Sequence, residues 1–116
     1  MNPQKNKGDK AEREVAALLS ELTGKTVRRK LGAGRTNSAG GDTGDIEGIP
    51  NFAIQVADWK CKSSACLQKP TEAEDQRINL GVDHAATFVR FRGGRYRVVL
   101  TPEQFARILF QITKHE

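Results

Sequence analysis

Apolar residues recur at helical spacing near both ends of the chain. In the first segment, Asp9 to Leu22, they occupy positions 11, 15, 18, 19 and 22, with Asp9 placed to cap the helix and Gly24 to end it. Near the other end, Thr101 precedes Pro102 and a further run of helical spacing. These patterns predict one amphipathic helix at each end.

Alternating apolar and polar positions predict strands between these two helices. The strands are predicted over residues 26–31, 45–49, 52–59, 86–91 and 96–100. Pro50-Asn51 supplies a turn between the second and third strands, and Gly93-Gly94 predicts a hairpin between the last two. The predicted strands therefore form two groups with a long stretch of chain between them.

That long stretch and a Gly-rich segment complete the predicted fold. Residues 62–70 are expected to form an irregular connector, and residues 71–82 a helix, because Thr71 and Glu74 have the spacing of a capping box. Gly32–Gly44 contains too few apolar residues to order itself around a core, so we expect a flexible loop. The order α-β-β-β-α-β-β-α predicts an α/β or α+β domain, a mixed sheet flanked by helices.

Charge is unevenly distributed along the 116 residues, which carry a net charge of +5. Residues 1–35 contain nine basic and four acidic side chains, whereas residues 36–116 contain ten of each. Arg28-Arg29-Lys30 is the densest basic run. Such a concentration suits the phosphate backbone of a nucleic acid, although a solvated surface that only aids solubility has the same composition.

The composition also argues against several classes of protein. The length is that of one domain, 1–116, and 37% hydrophobic residues suffice for a modest core. No apolar run is as long as a membrane helix, and the charged N-terminus lacks the apolar stretch of a signal peptide. Cys61 and Cys66 lack the second ligand pair of a zinc site. We therefore expect a cytoplasmic protein with reduced thiols and no membrane contact.

The stretch 44–56 contains the residues best suited to chemistry. Gln55 interrupts an apolar strand and, by period two, lies on the face opposite the core-facing positions 54 and 56. Asp45 opens the neighbouring strand, so the hairpin is expected to bring Asp45 near Gln55 as oxygen ligands for a hard divalent cation. A metal in that place would orient water and stabilise charge on a phosphodiester.

Four features together resemble the PD-(D/E)XK nuclease superfamily over about residues 5–100. They are the helix segment 8–14, the Gly-rich basic loop, Gly44-Asp45-Ile46, and a hairpin that ends in Ile54-Gln55-Val56. The order of predicted elements is similar to that family's core, and the most similar branch is the small phage and archaeal Holliday-junction resolvases. The resemblance implies a restriction-endonuclease-like fold and a metal-dependent endonuclease that cuts branched or four-way-junction DNA as a homodimer.

In that family, a helix glutamate, a strand aspartate and an acid-x-lysine pair form the site. By similarity, Glu12 and Asp45 take the first two roles, and Gln55 falls at the second-strand acid, where some branches carry glutamine. The implied ligands of Mg²⁺ or Mn²⁺ are Glu12, Asp45, Gln55 and the carbonyl of Val56. From the residues alone, Glu12 is equally a partner of Asp9 in a helix cap, and Asp45 is equally a turn residue.

The expected catalytic lysine is missing, because Ala57 stands two residues after Gln55. Alanine neither polarises water nor stabilises charge on a phosphate, so we expect the chain as given to be impaired. Three explanations stay open. The motif shifts to residues 58–60, against strand parity, or Ala57 replaces a natural lysine. Alternatively, the charge comes from elsewhere: Lys60, Lys62 or Arg77.

Eight basic residues are expected to contact DNA. They are Lys7, Lys10, Arg28, Arg29, Lys30, Arg35, Lys60 and Lys62. The loop 32–44 would close over or insert into branched DNA, whose shape rather than base sequence would set specificity. Two other hypotheses stay open: a catalytically inactive nuclease-fold module that binds DNA, and a protein-interaction domain whose basic patch only aids solubility.

Overall fold

The computed structural model describes residues 3–114, apart from the side chains of residues 3–6 and Ala33. Within these residues the helices are α1 (Pro3–Thr23), α2 (Lys62–Leu80) and α3 (Pro102–Thr113). The strands are β1 (Arg28–Arg29), β2 (Ile46–Glu47), β3 (Phe52–Ala57), β4 (His84–Phe91) and β5 (Arg95–Val99). The predicted order of elements and the mixed sheet flanked by helices are confirmed. In the described part of the chain, no helix is both long enough and apolar enough to cross a membrane.

The strands form one sheet in the order β1-β2-β3-β4-β5. Neighbouring strands are antiparallel except for β3 and β4, which run parallel and are joined by α2. In this parallel pair Gln55 lies beside Thr87, and Ala57 lies beside Val89. The carboxyl ends of β3 and β4 therefore reach the same edge of the sheet, where α/β proteins commonly place their sites.

Helices cover both faces of the central strands. The α1 face is formed by Val15, Ala16, Val27, Ile46, Ile54 and Phe88. The α2 face is formed by Ala57, Ala65 and Val89. Since residues 54 and 57 point to opposite faces of β3, this strand is buried on both sides. Its polar residue Gln55 is consequently only 3% exposed.

The helix α2 begins earlier than predicted and passes through a proline. Residues 62–70, predicted as an irregular connector, form its first half, and Pro70 lies inside it. A proline in a helix interior loses one backbone hydrogen bond and costs about 3 kcal/mol. Burial of Ala65, Pro70 and Ala73 offsets that cost, because these residues form the buried face with which α2 packs against the rest of the fold. Local sequence preferences were therefore overridden by packing.

Of the caps predicted for α2 and α3, one is wrong and one is confirmed. The capping box at Thr71 and Glu74 is wrong, because both residues lie inside α2. Burial by itself would raise the pKa of Glu74, but hydrogen bonds from Arg107 and Arg77 lower that pKa to about 2. Glu74 is therefore ionised, and its hydrogen bonds link α2 to α3. The cap at Thr101 is confirmed, since its side chain accepts from the third residue of α3 in a capping box.

The helix α1 begins at Pro3 rather than at Asp9. Asp9 and Glu12 are therefore interior helix residues, and the alternative that they form a helix cap is wrong. The carboxylate of Asp9 instead pairs with Arg29 of β1, with 2.9 Å between Nη2 and Oδ1. Both acids are consequently free of the helix backbone and turned toward basic residues that follow in the chain.

The Gly-rich segment 32–44, expected as a flexible loop, has defined backbone structure. A 3₁₀ turn spans Gly32–Arg35, and Thr36 pairs with Asp42 across a single antiparallel bridge. Before it, the N–H of Lys30 donates to the carbonyl of Asp45 at 2.8 Å, which continues the pairing of β1 with β2. The segment thus leaves and re-enters the sheet at one place, next to Asp45.

Candidate functional site

Two carboxylates and one guanidinium meet where α1 lies over the start of β2. The Nη2 atom of Arg35 lies 3.2 Å from Oε2 of Glu12 and 2.7 Å from Oδ1 of Asp45. The side chains of Glu12 and Asp45 are 10% and 12% exposed, whereas that of Arg35 is 34% exposed. The fold therefore brings the predicted Glu12 and Asp45 together around one cation. We call these three residues the Glu12–Arg35–Asp45 cluster.

Asp45 is held by the backbone of β3. Its N–H donates to the carbonyl of Ile54 at 2.8 Å, and its Oδ2 accepts from the N–H of Val56 at 2.8 Å. Because β2 begins only at Ile46, no backbone carbonyl of β2 accepts from the N–H of Val56, and the carboxylate of Asp45 takes that place in the pairing with β3. Gly44 permits this approach: its φ is +101°, and a Cβ there would lie 3.1 Å from the Ile54 carbonyl oxygen.

The two carboxylates repel each other, and Arg35 offsets the repulsion. Burial raises the pKa of Asp45 to about 6, with Glu12 acting in the same direction, while the N–H of Val56 and the charge of Arg35 act against them. Burial also acts to lower the pKa of Arg35, but its hydrogen bonds to Glu12 and Asp45 outweigh burial and raise it. The guanidinium is therefore charged, and it stabilises the ionised form of both carboxylates.

Arg29 extends the cluster on the Glu12 side. Its Nε lies 3.3 Å from Oε1 of Glu12, and its Nη2 lies 2.9 Å from Oδ1 of Asp9. Three carboxylates (Asp9, Glu12 and Asp45) thereby share two guanidinium groups. Three negative and two positive charges leave this group at −1 when all are ionised, so it attracts further positive charge.

Gln55 lies on the α2 side of β3, the side of Ala57. Within the described residues its buried Oε1 has no hydrogen-bond partner, and the same holds for Oγ1 of its neighbour Thr87. The hairpin brings the carboxylate of Asp45 to the backbone of Val56 rather than to the side chain of Gln55. Among residues 3–114, no three His, Cys, Asp or Glu side chains lie close enough together to hold a metal ion.

Ala57, at the position of the expected lysine, fills a close contact between β3 and α2. It is 1% exposed and packs with Ala65 and Val89. It also lines a cavity of about 420 Å³ beyond the end of β3, together with Lys7, Gly8, Val56 and residues 58–60. The first carbons of a lysine side chain at position 57 would therefore lie in the close contact between β3 and α2, and its ammonium would reach solvent only through this cavity.

The residues that follow β3 form a second charged group. The carboxylate of Asp58 lies 3.4 Å from the Lys62 ammonium and 3.7 Å from that of Lys7, and its side chain is 7% exposed. Lys60 is exposed. Because β3 ends at Ala57, strand parity does not govern residues 58–60. Lys7 and Lys60 line the same cavity, and Lys62 pairs with Asp58 in its lining, so a basic rim lies at the carboxyl edge of the sheet.

One of the eight basic residues predicted to contact DNA is buried. Lys30 is 5% exposed, and its ammonium donates to the carbonyl of Thr43 at 2.7 Å and to the Thr43 hydroxyl at 3.2 Å. Burial lowers the pKa of Lys30. Its charge holds the Gly-rich segment in place instead of facing solvent. Four of the others are exposed: Lys7, Lys10, Arg28 and Lys60. Three are half-buried: Arg29, Arg35 and Lys62.

Lys30→Ala is expected to lower the free energy of unfolding by about 1–3 kcal/mol, because it leaves the buried Thr43 carbonyl without a donor. Arg28→Ala removes the same charge from an exposed position two residues away. We expect this control to change stability by less than about 0.5 kcal/mol and to weaken DNA binding instead. Urea unfolding followed by circular dichroism measures the difference. Equal losses in the two variants would show that Lys30 is not a structural tie.

Comparison with protein-family models, curated proteins and solved structures finds no match. We therefore interpret the site from its own chemistry. Two carboxylates from separate elements approach one cationic nitrogen, inside a group with surplus negative charge. Clustered carboxylate oxygens are the ligands that hard divalent cations prefer, so the donor set fits such a cation in the place of the guanidinium.

Proposed function

We propose that the chain is a divalent-metal-dependent DNA endonuclease domain resembling Holliday-junction resolvases. One observation carries this proposal: the carboxylates of Glu12 and Asp45 converge on one cation position. Oxygen ligands of this kind suit Mg²⁺ or Mn²⁺, and the basic rim beside them suits a phosphodiester. A metal in that position would supply Lewis-acid charge and a more acidic water.

The chain's own residues would prepare the site as follows. Glu12 and Asp45 would hold the metal, with the carbonyl of Val56 as a further ligand. Arg29 steadies the carboxylate of Glu12, and the N–H of Val56 steadies that of Asp45. Gln55, which the resemblance adds to the set, would join only by turning its side chain away from α2.

Basic residues at the carboxyl edge of the sheet would hold the DNA. Lys7 and Lys60 line the cavity beyond β3, and Lys62 begins α2 beside it. Lys10 and Arg28 add exposed charge on α1 and β1. Such contacts reach the phosphate backbone and do not read bases, so the branched shape of the DNA would select the substrate.

We extend the proposal to a homodimer, in the host cytoplasm if a phage encodes the protein. A four-way junction presents two symmetric strands to cut, which two copies of one subunit match. Phe105, Leu109, Phe110 and Ile112 of α3 are exposed, and subunit contacts cover apolar surface of this kind.

A cleavage assay tests the nuclease proposal on labelled four-way junction and linear duplex with Mg²⁺ or Mn²⁺. We expect Ala57→Lys to cleave the junction at least about 100-fold faster than the parent, because it adds positive charge beside the scissile phosphate. Ala57→Met is the matched control, since it has a similar length and no charge. It also reports how much the crowding against Ala65 disturbs folding, which thermal unfolding of both variants measures.

Each outcome of the assay selects one hypothesis. Cleavage in the lysine variant alone would mark Ala57 as the replacement of a natural lysine. Equal cleavage in parent and variant would mean that another residue supplies the charge. If every folded variant binds DNA in a salt-sensitive way but none cleaves it, the nuclease proposal is rejected. That result would favour the inactive DNA-binding module, which the alanine at position 57 also favours. Failure to bind either DNA would leave the protein-interaction domain.

A further inference from the structure

The guanidinium of Arg35 stands between the two carboxylates that the proposed function assigns to a metal. We propose that Arg35 supplies part of the positive charge that Ala57 lacks, so that the parent keeps a residual cleavage activity that a lysine at position 57 would raise. In the free protein Arg35 pairs with both Glu12 and Asp45; with metal bound, it is a catalytic residue that contacts the phosphate. This inference rests on the proposed endonuclease function and adds to it a residue that the family pattern does not contain.

Arg35 and a metal compete for one position. The Nη2 atom touches both carboxylates, at 3.2 Å and 2.7 Å, so it occupies the point on which their oxygens converge. Within the described residues, the carboxylates paired with Arg35 are those of Glu12 and Asp45. Two cations do not share such a point, because they repel each other. Metal binding therefore releases the guanidinium from the carboxylates.

The released guanidinium has to stay beside the site. The carbonyl of Arg35 accepts from the N–H of Thr43 at 2.9 Å, and that of Gly34 accepts from the Thr43 hydroxyl at 3.1 Å. Thr43 is itself held by the buried ammonium of Lys30. The backbone of Arg35 is thus fixed to a residue two positions before Asp45, while its side chain is partly exposed. A side-chain rotation suffices to move the charge from the carboxylates to an incoming phosphate.

Several of the other basic residues near the site are paired with other carboxylates or shared with them. Lys7 and Lys62 pair with Asp58, and Arg29 is divided between Asp9 and Glu12. A further candidate, Arg77, donates to Glu74 and to the carbonyl of Val82 at the far end of α2. Among the described residues, Arg35 is the basic side chain that pairs with both proposed ligand carboxylates.

Guanidinium chemistry limits the role of Arg35 to charge stabilisation. Hydrolysis joins a water oxygen to phosphorus and breaks one P–O ester bond. One proton of the water ends on the leaving oxygen, and the other is released to solvent. Arginine stays protonated throughout the accessible pH range, so it is not the base that accepts a proton. Its planar fork instead donates two hydrogen bonds to the phosphate oxygens, on which negative charge grows.

Metal binding and cleavage measured together test this role. Mn²⁺ affinity is read by electron paramagnetic resonance without DNA, and junction cleavage is read with Mn²⁺ at saturation. We expect Arg35→Ala to bind Mn²⁺ about tenfold more tightly, because a competing cation is gone. The same variant should cleave at least about 100-fold more slowly than the parent. Arg35→Lys should recover part of the cleavage, and Arg13→Ala, which removes an exposed arginine beside Glu12, should match the parent in both measurements.

A merely structural role would weaken Mn²⁺ binding and cleavage together. Unchanged or weaker Mn²⁺ binding in folded Arg35→Ala therefore overturns the inference, as does undiminished cleavage in that variant. If the parent binds Mn²⁺ but cleaves nothing while Ala57→Lys cleaves, the inference fails and the nuclease proposal stands. If Mn²⁺ binding to parent and to Ala57→Lys is absent or insensitive to Asp45→Asn, the nuclease proposal fails, and the role of Arg35 with it.

Discussion

Asp45→Asn is expected to reduce metal-dependent cleavage at least about 100-fold while junction binding stays within about threefold of the parent. The amide has one oxygen in place of two. The carboxylate of Asp45 accepts hydrogen bonds from both the N–H of Val56, at 2.8 Å, and Arg35, at 2.7 Å. The single amide oxygen of asparagine can keep only one of these two bonds. The substitution also removes the charge that a divalent cation requires. The loss of one hydrogen bond costs about 1 kcal/mol, so the variant should remain folded.

Glu47→Gln is the matched control for this experiment. Glu47 lies on β2 two residues after Asp45, is exposed, and carries the same charge. The experiment is done in the background that cleaves DNA, either the parent sequence or Ala57→Lys. In that background Glu47→Gln should not change the cleavage rate. Cleavage is followed on labelled junction with Mg²⁺ or Mn²⁺, and binding by fluorescence anisotropy with Ca²⁺. Full cleavage by Asp45→Asn would remove Asp45 from the site.

Gly48→Ala is expected to destabilise the protein by about 3 kcal/mol or more, the largest stability effect that we predict. The φ of Gly48 is +108°, a region that side chains rarely adopt. A Cβ there would lie 2.4 Å from the Thr26 carbonyl oxygen and 3.0 Å from Cα of Val27. Both obstacles belong to the backbone that leads into β1, so the contact is not relieved by turning a side chain. The pairing of β1 with β2, which positions Arg29, would be disturbed.

Gly24→Ala separates the two causes. Gly24 also has a positive φ, +70°, but a Cβ at this residue would meet no atom within 4 Å. The variant should lose only the conformational part, about 1 kcal/mol. Urea unfolding of the two variants measures both losses. If Gly48→Ala lost no more than Gly24→Ala, the close approach of the Thr26 backbone to residue 48 would be disproved.

Elements whose signals are short-range were predicted well. α3 starts at the expected cap because Thr101 and Gln104 lie within one turn of each other. β4 and β5 meet around Gly93 and Gly94, both of which have positive φ. Capping and tight turns depend on neighbours within a few residues, which the sequence places side by side whatever the rest of the chain does.

Elements that depend on packing were predicted less well. The first half of α2 shows no strong apolar periodicity, because the residues that it buries include Ala65 and Pro70. Their burial becomes favourable only once the sheet is present to pack against. The opposite error occurred at Thr71 and Glu74, where the spacing of a cap lies inside a helix. The same residue types perform a different task there, because Arg107 of α3 lies close to Glu74.

In the candidate site, residue types were predictable and partners were not. Glu12 was selected from the sequence by the family resemblance, and Asp45 by the resemblance and by its place at the start of a predicted strand beside Gln55. Their shared partner Arg35 is separated from them by 23 and 10 residues, and no periodic pattern links such positions. Sheet order, the hydrogen bond that turns Asp45 toward Val56, and the tie between Lys30 and Thr43 bring them together. Composition, element order and the turn at Gly93-Gly94 thus follow from the sequence, whereas charge pairing, burial and the choice among possible helix caps follow from contacts that exist only in the folded chain.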